Sequence, residues 1–129
     1  MKAVLIENKL ILDMLKNELN KFDEVEVIGA YSSISEFAIS EEVEMLIIDP
    51  SHYKINELME LKSHLKLKDN RIKIAITPMF YDEAIYDQLL GADIDLVLWK
   101  GASILEYQHG FQHVIQGKKY FTKEKSPSN

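Results

Sequence analysis

The stretch Met45-Leu46-Ile47-Ile48-Asp49 places a carboxylate directly after four apolar residues. A short, continuous apolar run is typical of a strand that is buried on both faces of a parallel sheet. Ligands of open α/β sheets bind outside the carboxyl ends of such strands. The position of Asp49 therefore predicts a role in chemistry or binding, although an aspartate before Pro50 also suits a turn.

Three more apolar runs end in polar residues in the same way. These polar residues are Glu7 and Asn8 after residues 3–6, Thr77 after residues 74–76, and Lys100 after residues 96–99. Because the carboxyl ends of parallel strands meet at one edge of a sheet, we expect these side chains to lie close to Asp49. A carboxylate, an amide, a hydroxyl and an amine around one aspartate form a candidate site.

The segments between the apolar runs show the spacing of amphipathic helices. Helices are predicted over residues 11–22, from residue 33 onward, and over residues 55–67, 82–90 and 104–115, with a further strand at 25–28. Capping boxes at Ser33–Glu36 and Ser103–Glu106 start the second and the last helix, and Gly91 is predicted to end the fourth in a left-handed conformation. The alternation predicts an α/β fold, a five-stranded parallel sheet that is doubly wound as (βα)5.

Composition bounds both the size and the class of the protein. The 129 residues suffice for one domain, and 47% hydrophobic with 28% charged residues is typical of globular proteins. The net charge of −6 disfavours nucleic-acid binding, and cysteine is absent. The sequence has no signal peptide and no run of transmembrane length, which predicts a cytoplasmic protein without a membrane partner. The segment from Lys118 onward is polar and is expected to be a frayed end or the start of a linker.

The order of the strand-end residues resembles that of the receiver domain of two-component response regulators, over residues 1–124, with 125–129 as a polar tail or linker. The matches are Glu7-Asn8 to the acidic pair, Asp49 to the phospho-acceptor, Thr77 to the hydroxyl residue and Lys100 to the lysine. Residues 91–93, 100–103 and 117–124 are similar to stretches in receivers of the NarL/LuxR type. The resemblance implies the flavodoxin-like receiver fold with strand order 2-1-3-4-5.

The resemblance also implies a site chemistry. Asp49 would take a phosphoryl group from a sensor histidine kinase, with enzymology limited to self-phosphorylation and autodephosphorylation. The residues implied to hold Mg²⁺ are Glu7, Asn8, Asp49 and the backbone carbonyl of Ser51. Lys100 would pair first with Asp49 and then with the phosphoryl group, to which the Thr77 hydroxyl would also bond.

The resemblance further implies partners. Phosphorylation would switch homodimerisation or contacts with an output domain, through the fourth helix and the fifth strand. Receivers of this type usually precede a helix-turn-helix domain, so DNA would be bound only through a separate output domain, in transcriptional regulation. The chain is then either a stand-alone receiver or the receiver half of a longer regulator.

Several positions depart from the pattern of the family and keep alternatives open. Asn8 replaces a carboxylate, which predicts weaker Mg²⁺ binding, and Tyr53 stands where proline is usual. Pro78 is expected to crowd the entrance to the site. Val97 stands where an aromatic side chain is usual, and Tyr107 or Trp99 is a candidate for supplying that aromatic group nearby. The alternative is a degenerate pseudo-receiver that serves as a phosphorylation-independent interaction or dimerisation module. A flavodoxin-like ligand binder is disfavoured because no phosphate-binding loop follows the first strand.

Overall fold

The computed structural model describes residues 1–36, 42–68, 72–79 and 83–122, in which strands and helices alternate. The strands are β1 (Lys2–Ile6), β2 (Glu26–Tyr31), β3 (Met45–Ile48), β4 (Lys73–Ile76), β5 (Leu96–Val97) and β6 (Tyr120–Phe121). The helices are α1 (Leu12–Leu19), α2 (Ile55–Lys68), α3 (Glu83–Gly91) and α4 (Ile104–Ile115), with 3₁₀ turns at Ile34–Glu36 and Pro50–His52. No helix among these residues has the length and apolar character to cross a bilayer.

The strands pair in parallel, in the order β2-β1-β3-β4-β5-β6. The predicted order of the first five strands is confirmed, but the prediction of five strands was wrong by one. The added pairs are Leu96 with Tyr120 and Val97 with Phe121. The polar segment from Lys118 thus contains a strand, because tyrosine and phenylalanine favour β-structure and the edge of β5 offers free backbone partners. The predicted tail at 125–129 lies outside the described residues.

Helices cover both faces of the sheet, as the alternation predicts. The strand side chains that pack beneath α2 and α3 are Val4, Ile6, Leu46, Ile48, Ile74 and Ile76. Those that pack beneath α1 and α4 are Ala3, Leu5, Met45, Ile47 and Ala75. Successive residues of a strand point to opposite faces, so a fully apolar strand feeds both layers. The two layers hold the strand ends rigidly at one edge.

The ends of the last two helices show one confirmed cap and one correction. Ser103 Oγ accepts a hydrogen bond from Glu106 N at 3.2 Å, which confirms the predicted start of α4. α3 ends at Gly91 as predicted, but the residue with left-handed backbone is Asp93, with a φ of 61°. Aspartate tolerates this conformation better than most residues, and its carboxylate is bound by Lys119.

The second predicted helix lies mostly outside the described residues, which omit 37–41. Its predicted capping box at Ser33 is replaced by the 3₁₀ turn Ile34–Glu36. Glu36 Oε1 accepts a hydrogen bond from Ser32 Oγ at 2.9 Å, so this carboxylate serves the preceding loop.

Candidate functional site

The predicted site residues lie together at the carboxyl edge of the sheet. Glu7 follows β1, Asp49 follows β3, Thr77 follows β4 and Lys100 comes after β5. The parallel ladder continues beyond the strands, because Asp49 N–H donates to Ile6 O at 2.8 Å and Thr77 N–H to Ile48 O at 2.9 Å. The sheet itself therefore fixes the backbone on which these side chains stand.

The Lys100 ammonium lies at the centre of the site. Its Nζ is 3.0 Å from Glu7 Oε2 and 3.0 Å from Asp49 Oδ1, and it donates a hydrogen bond to Thr77 O at 2.9 Å. The contact with Glu7 is an ion pair only, since Oε2 is buried without a hydrogen-bond partner. Glu7 exposes 2% and Asp49 5% of its surface. One ammonium thus faces two buried carboxylates, which leaves negative charge in excess.

The two carboxyl groups have pKa values that move in opposite directions. Burial raises the pKa of Glu7, and a hydrogen bond shared with the Asp49 carboxyl raises it further. Burial acts to raise the pKa of Asp49 too, but it is outweighed. Hydrogen bonds from Ser51, Glu7 and Lys100 hold this pKa below its usual value. When the pair holds a single proton, that proton therefore resides on Glu7, and Asp49 is the ionised member.

Asp49 is also the cap of the 3₁₀ turn that follows β3. Its Oδ1 accepts hydrogen bonds from Ser51 N at 3.2 Å and from Ser51 Oγ at 2.8 Å. Pro50 occupies the first position of the turn, where a missing N–H leaves no bond unmade. Asp49 therefore both caps the turn and belongs to the site, because its Oδ1 contacts Ser51 of the turn and Lys100 Nζ.

Thr77 and Asn8 lie at the site, but their side chains are engaged with backbone groups. Thr77 Oγ1 is buried and donates to Ile48 O over 3.4 Å, a long hydrogen bond. Asn8 Oδ1 accepts from Leu10 N at 2.9 Å in a local turn after β1. A contact of either side chain with a phosphoryl group or a metal requires a rotation, so these two roles stay predictions.

A cavity of about 290 Å³ lies in front of Asp49. Its described lining residues are Ile6, Glu7, Asn8, Ser32, Ser33, Asp49 and Tyr53. Pro78, which was expected to crowd the entrance, is not among these described residues, whereas Tyr53 is. The Tyr53 hydroxyl accepts a hydrogen bond from Ile34 N at 3.0 Å and ties the loop after β2 to the loop after β3.

The two serines in this lining were missed from the sequence. Ser32 and Ser33 directly follow β2, whose carboxyl end lies at the same edge as the other strand ends. These serines follow the same pattern as the other site residues, because they are polar residues directly after a strand. Ser33 was instead interpreted as the first residue of a capping box.

The donor atoms fit a hydrated divalent cation. Glu7 and Asp49 supply two carboxylates, and the buried Glu7 Oε2 accepts no hydrogen bond. Mg²⁺ keeps several waters and needs only one or two carboxylates from the protein. Across the described ranges, no three His, Cys, Asp or Glu side chains converge for a metal, so carbonyl oxygens and water would have to complete the set. Lys100 competes for the same carboxylates, which predicts weak binding.

Comparison with solved structures adds to this geometry. The isolated receiver (REC) domain of RcsB from Salmonella enterica serovar Typhimurium matches with a TM-score of 0.73 and 17% identity, over 95% of this chain and 94% of that one. The chain has the receiver fold. A LuxR-family DNA-binding response regulator from Silicibacter pomeroyi matches with a TM-score of 0.69 and 17% identity, over 96% and 98% of the two chains. A LuxR-family response regulator from a species of Aurantimonas matches with a TM-score of 0.73 and 14% identity, over 98% and 89%.

The receiver fold accounts for part of the longer neighbours. In a structure of two RcsB dimers bound to two parallel DNAs, the match covers 64% of the RcsB chain. No protein-family model matches this sequence, and no curated protein matches it. The resemblance to receivers of LuxR-family regulators that the strand ends predict is confirmed in the fold.

Proposed function

We propose that this receiver domain accepts a phosphoryl group on Asp49 from the phosphohistidine of a sensor histidine kinase. The observation that carries the proposal is the position of Lys100 Nζ, 3.0 Å from Glu7 Oε2 and 3.0 Å from Asp49 Oδ1. Phosphoryl transfer develops charge on the peripheral phosphoryl oxygens, so it needs a nucleophile beside cations. The site supplies an ionised carboxylate, an ammonium and a second carboxyl group for a metal.

The attack on phosphorus is assigned to Asp49 Oδ2, because Oδ1 is already engaged by Ser51 and Lys100. An electron pair of Oδ2 forms the new P–O bond, and the P–N bond to the histidine breaks with its electron pair on the imidazole nitrogen. With acetyl phosphate the P–O bond to the acetyl group breaks instead, and acetate leaves. The ionised state of Asp49 suits this nucleophilic role.

Mg²⁺ would neutralise charge on the phosphoryl oxygens when bound. Glu7 and Asp49 would hold it, with the Ser51 carbonyl or the Asn8 amide oxygen and water in the remaining positions. A proton on Glu7 would compete with the metal, so metal affinity should fall as the pH is lowered toward the range in which Glu7 is protonated.

Lys100 and Thr77 would receive the phosphoryl group. Lys100 exchanges a carboxylate oxygen for a phosphoryl oxygen, and its charge strengthens either hydrogen bond. Thr77 Oγ1 gives up only the 3.4 Å hydrogen bond to Ile48 O when it turns toward the new group. The rotation of Thr77 is the local event that phosphorylation would couple to the neighbouring loops.

The function that follows is that of a signalling module in the cytoplasm. Phosphorylation would switch homodimerisation or contacts with a separate output domain, and DNA would be reached only through that domain. RcsB, which has the same fold, is seen as dimers bound to DNA. The net charge of −6 agrees with a domain that does not bind DNA by itself.

Intact mass after incubation with acetyl phosphate and Mg²⁺ tests the proposal. We expect a single phosphoryl adduct that is lost on mild alkaline treatment and is absent in Asp49→Asn. Asp13→Asn, at an exposed position on α1, is the matched control and should form the adduct like the unmodified chain. No adduct at any Mg²⁺ concentration would overturn the proposal and leave the phosphorylation-independent interaction module.

A further inference from the structure

Trp99, the single tryptophan of the chain, directly precedes Lys100 and is held at several points. Its backbone N–H donates to Thr122 Oγ1 at 2.8 Å, and its indole Nε1–H donates to Met79 O at 3.0 Å. Its carbonyl accepts from the Tyr107 hydroxyl at 3.0 Å. Burial raises the pKa of Tyr107 to about 12, so this hydroxyl stays a donor across the physiological range.

The six-membered ring of the Trp99 indole lies against Gly101. A Cβ atom at Gly101 would meet Cζ2 of the indole at 2.5 Å and Cε2 at 2.8 Å, closer than real Cβ contacts. Glycine is therefore required here by space and not by backbone conformation. Lys100 stands between the tryptophan and the glycine that this packing joins, so its backbone is held on both sides.

The anchor of Trp99 on the far side is Thr122, at the end of β6. Its side chain is fully buried, and its hydroxyl also lies 3.2 Å from the Tyr86 hydroxyl of α3. Its backbone N–H donates to Val97 O at 2.9 Å. The residue before Lys100 is thus tied to β6, to α3 and to the loop after β4.

Lys100 needs such support because its ammonium must reach acceptors on three different loops. Its backbone N–H donates to Pro78 O at 2.9 Å, but a lysine side chain has four rotatable bonds beyond that anchor. Groups that stabilise developing charge act best when they are held in place before the reaction. A residue that fixes the start of this side chain therefore controls where its ammonium lies.

We propose that Trp99 is a positioning residue for Lys100: its indole, seated on Gly101 and bonded to Met79 O, keeps the ammonium between Glu7 and Asp49. The role in transfer rests on the proposed function, whereas the placement of the ammonium does not. A displaced indole frees Lys100 to leave the carboxylates and to become exposed to solvent.

Chemical labelling tests the placement without any phosphoryl transfer. The whole chain is treated with limiting acetic anhydride, and acetylation of Lys100 is compared with that of the exposed Lys118 by peptide mapping. Gly101→Ala should raise the labelling of Lys100 about tenfold and shift the emission of Trp99 to longer wavelength. Gly91→Ala is the matched control, since a Cβ there meets nothing within 4 Å and should change neither reading.

A second variant, in which the indole itself is removed, shows whether the effect of Gly101→Ala depends on Trp99. Trp99→Phe removes both the Met79 hydrogen bond and the ring atoms that a Cβ at Gly101 would strike. It should itself expose Lys100 to labelling, and adding Gly101→Ala should then have no further effect. If circular dichroism shows that Gly101→Ala does not fold, the labelling of Lys100 in Trp99→Phe alone tests the proposal. Unchanged labelling of Lys100 in the folded variant would overturn the proposal.

Initial rates with acetyl phosphate separate this proposal from the proposed function. Where the unmodified chain forms the adduct, Trp99→Phe should lower the maximal rate about tenfold with little change in the half-saturating donor concentration. An unchanged maximal rate would overturn the positioning role while the phospho-acceptor role stands. Where the unmodified chain forms no adduct, the phospho-acceptor role fails, and the labelling result alone supports or overturns the placement of Lys100.

Discussion

A buried lysine, Lys62, and a partly buried lysine, Lys100, lie at opposite edges of the sheet and meet their carboxylates differently. At the amino edge, Lys62 Nζ lies 3.0 Å from Asp95 Oδ2, which also accepts from Ile74 N at 2.9 Å. At the carboxyl edge, Lys100 faces two buried carboxylates, one with an oxygen that lacks a hydrogen bond. The first arrangement balances its charge within the fold, whereas the second holds negative charge for which a further cation is the natural partner.

The largest expected effect comes from breaking the amino-edge pair. Asp95→Asn keeps an oxygen for Ile74 N–H but leaves the Lys62 ammonium without its countercharge, which should cost about 3 kcal/mol of the free energy of unfolding. Urea denaturation measures this loss. Asp49→Asn should change the same free energy by less, about 1 kcal/mol, because Glu7 still balances Lys100 and the amide keeps an oxygen for Ser51. Equal losses in the two variants would remove the distinction between the edges.

The next effect concerns the rate of phosphoryl transfer. Lys100→Gln retains hydrogen bonding but removes the charge, and should lower the initial rate with acetyl phosphate on the order of 10²-fold, as for other lost electrostatic contacts. Lys62→Gln, at the amino edge, should leave the rate per folded molecule unchanged even though it destabilises the fold. A comparable fall in the rate per folded molecule in both variants would contradict a specific role of Lys100 in phosphoryl transfer.

The smallest effect is the pH dependence of stability. Burial raises the pKa of Glu7 above 4.5, so its protonated form stabilises the folded state, and this contribution is lost as pH rises from 4.5 through the folded pKa. Asp49, with a lowered pKa, acts in the opposite sense and loses its contribution only as pH falls below 3.8.

Glu7→Gln should therefore flatten the fall in the free energy of unfolding above pH 4.5. Urea denaturation across a pH series compares it with Glu26→Gln, at an exposed position of β2, which should keep the slope of the unmodified chain. Parallel slopes for all three proteins would show that Glu7 titrates in the fold as it does in the unfolded chain.

The strand order could be predicted because each buried strand carries its own signal in the sequence. The run from Met45 to Ile48 is apolar throughout and feeds both core layers, so neither its type nor its burial depends on distant residues. The sixth strand could not be predicted in this way, because a strand of two residues is too short to show a pattern of apolar residues. It forms because β5 offers a free edge, which is a property of the assembled sheet. Asp93, and not Gly91, takes the left-handed conformation, and its carboxylate is bound by Lys119 from a later segment of the chain.

The membership of the site could be predicted, but its internal geometry could not. Strand ends brought Glu7, Asp49 and Lys100 together because parallel strands end at one edge. The turn made by Asn8 and the seat of Trp99 on Gly101 depend on loops whose course the pattern of apolar residues does not encode. The pattern of strands and polar residues therefore predicts which residues meet at the site, whereas tertiary contacts determine how their side chains are oriented.

The short β6 has a consequence for association between molecules. Tyr120 N–H donates to Asp95 O at 3.1 Å and Thr122 N–H to Val97 O at 2.9 Å, so β6 occupies the backbone groups of β5. An uncovered β5 would present an apolar edge on which strands of other molecules can add, the route to aggregation. A two-residue strand with lysines at 118 and 119 before it is itself a poor template for further pairing. By covering β5, the strand β6 thus disfavours edge-to-edge association of the sheet with other molecules.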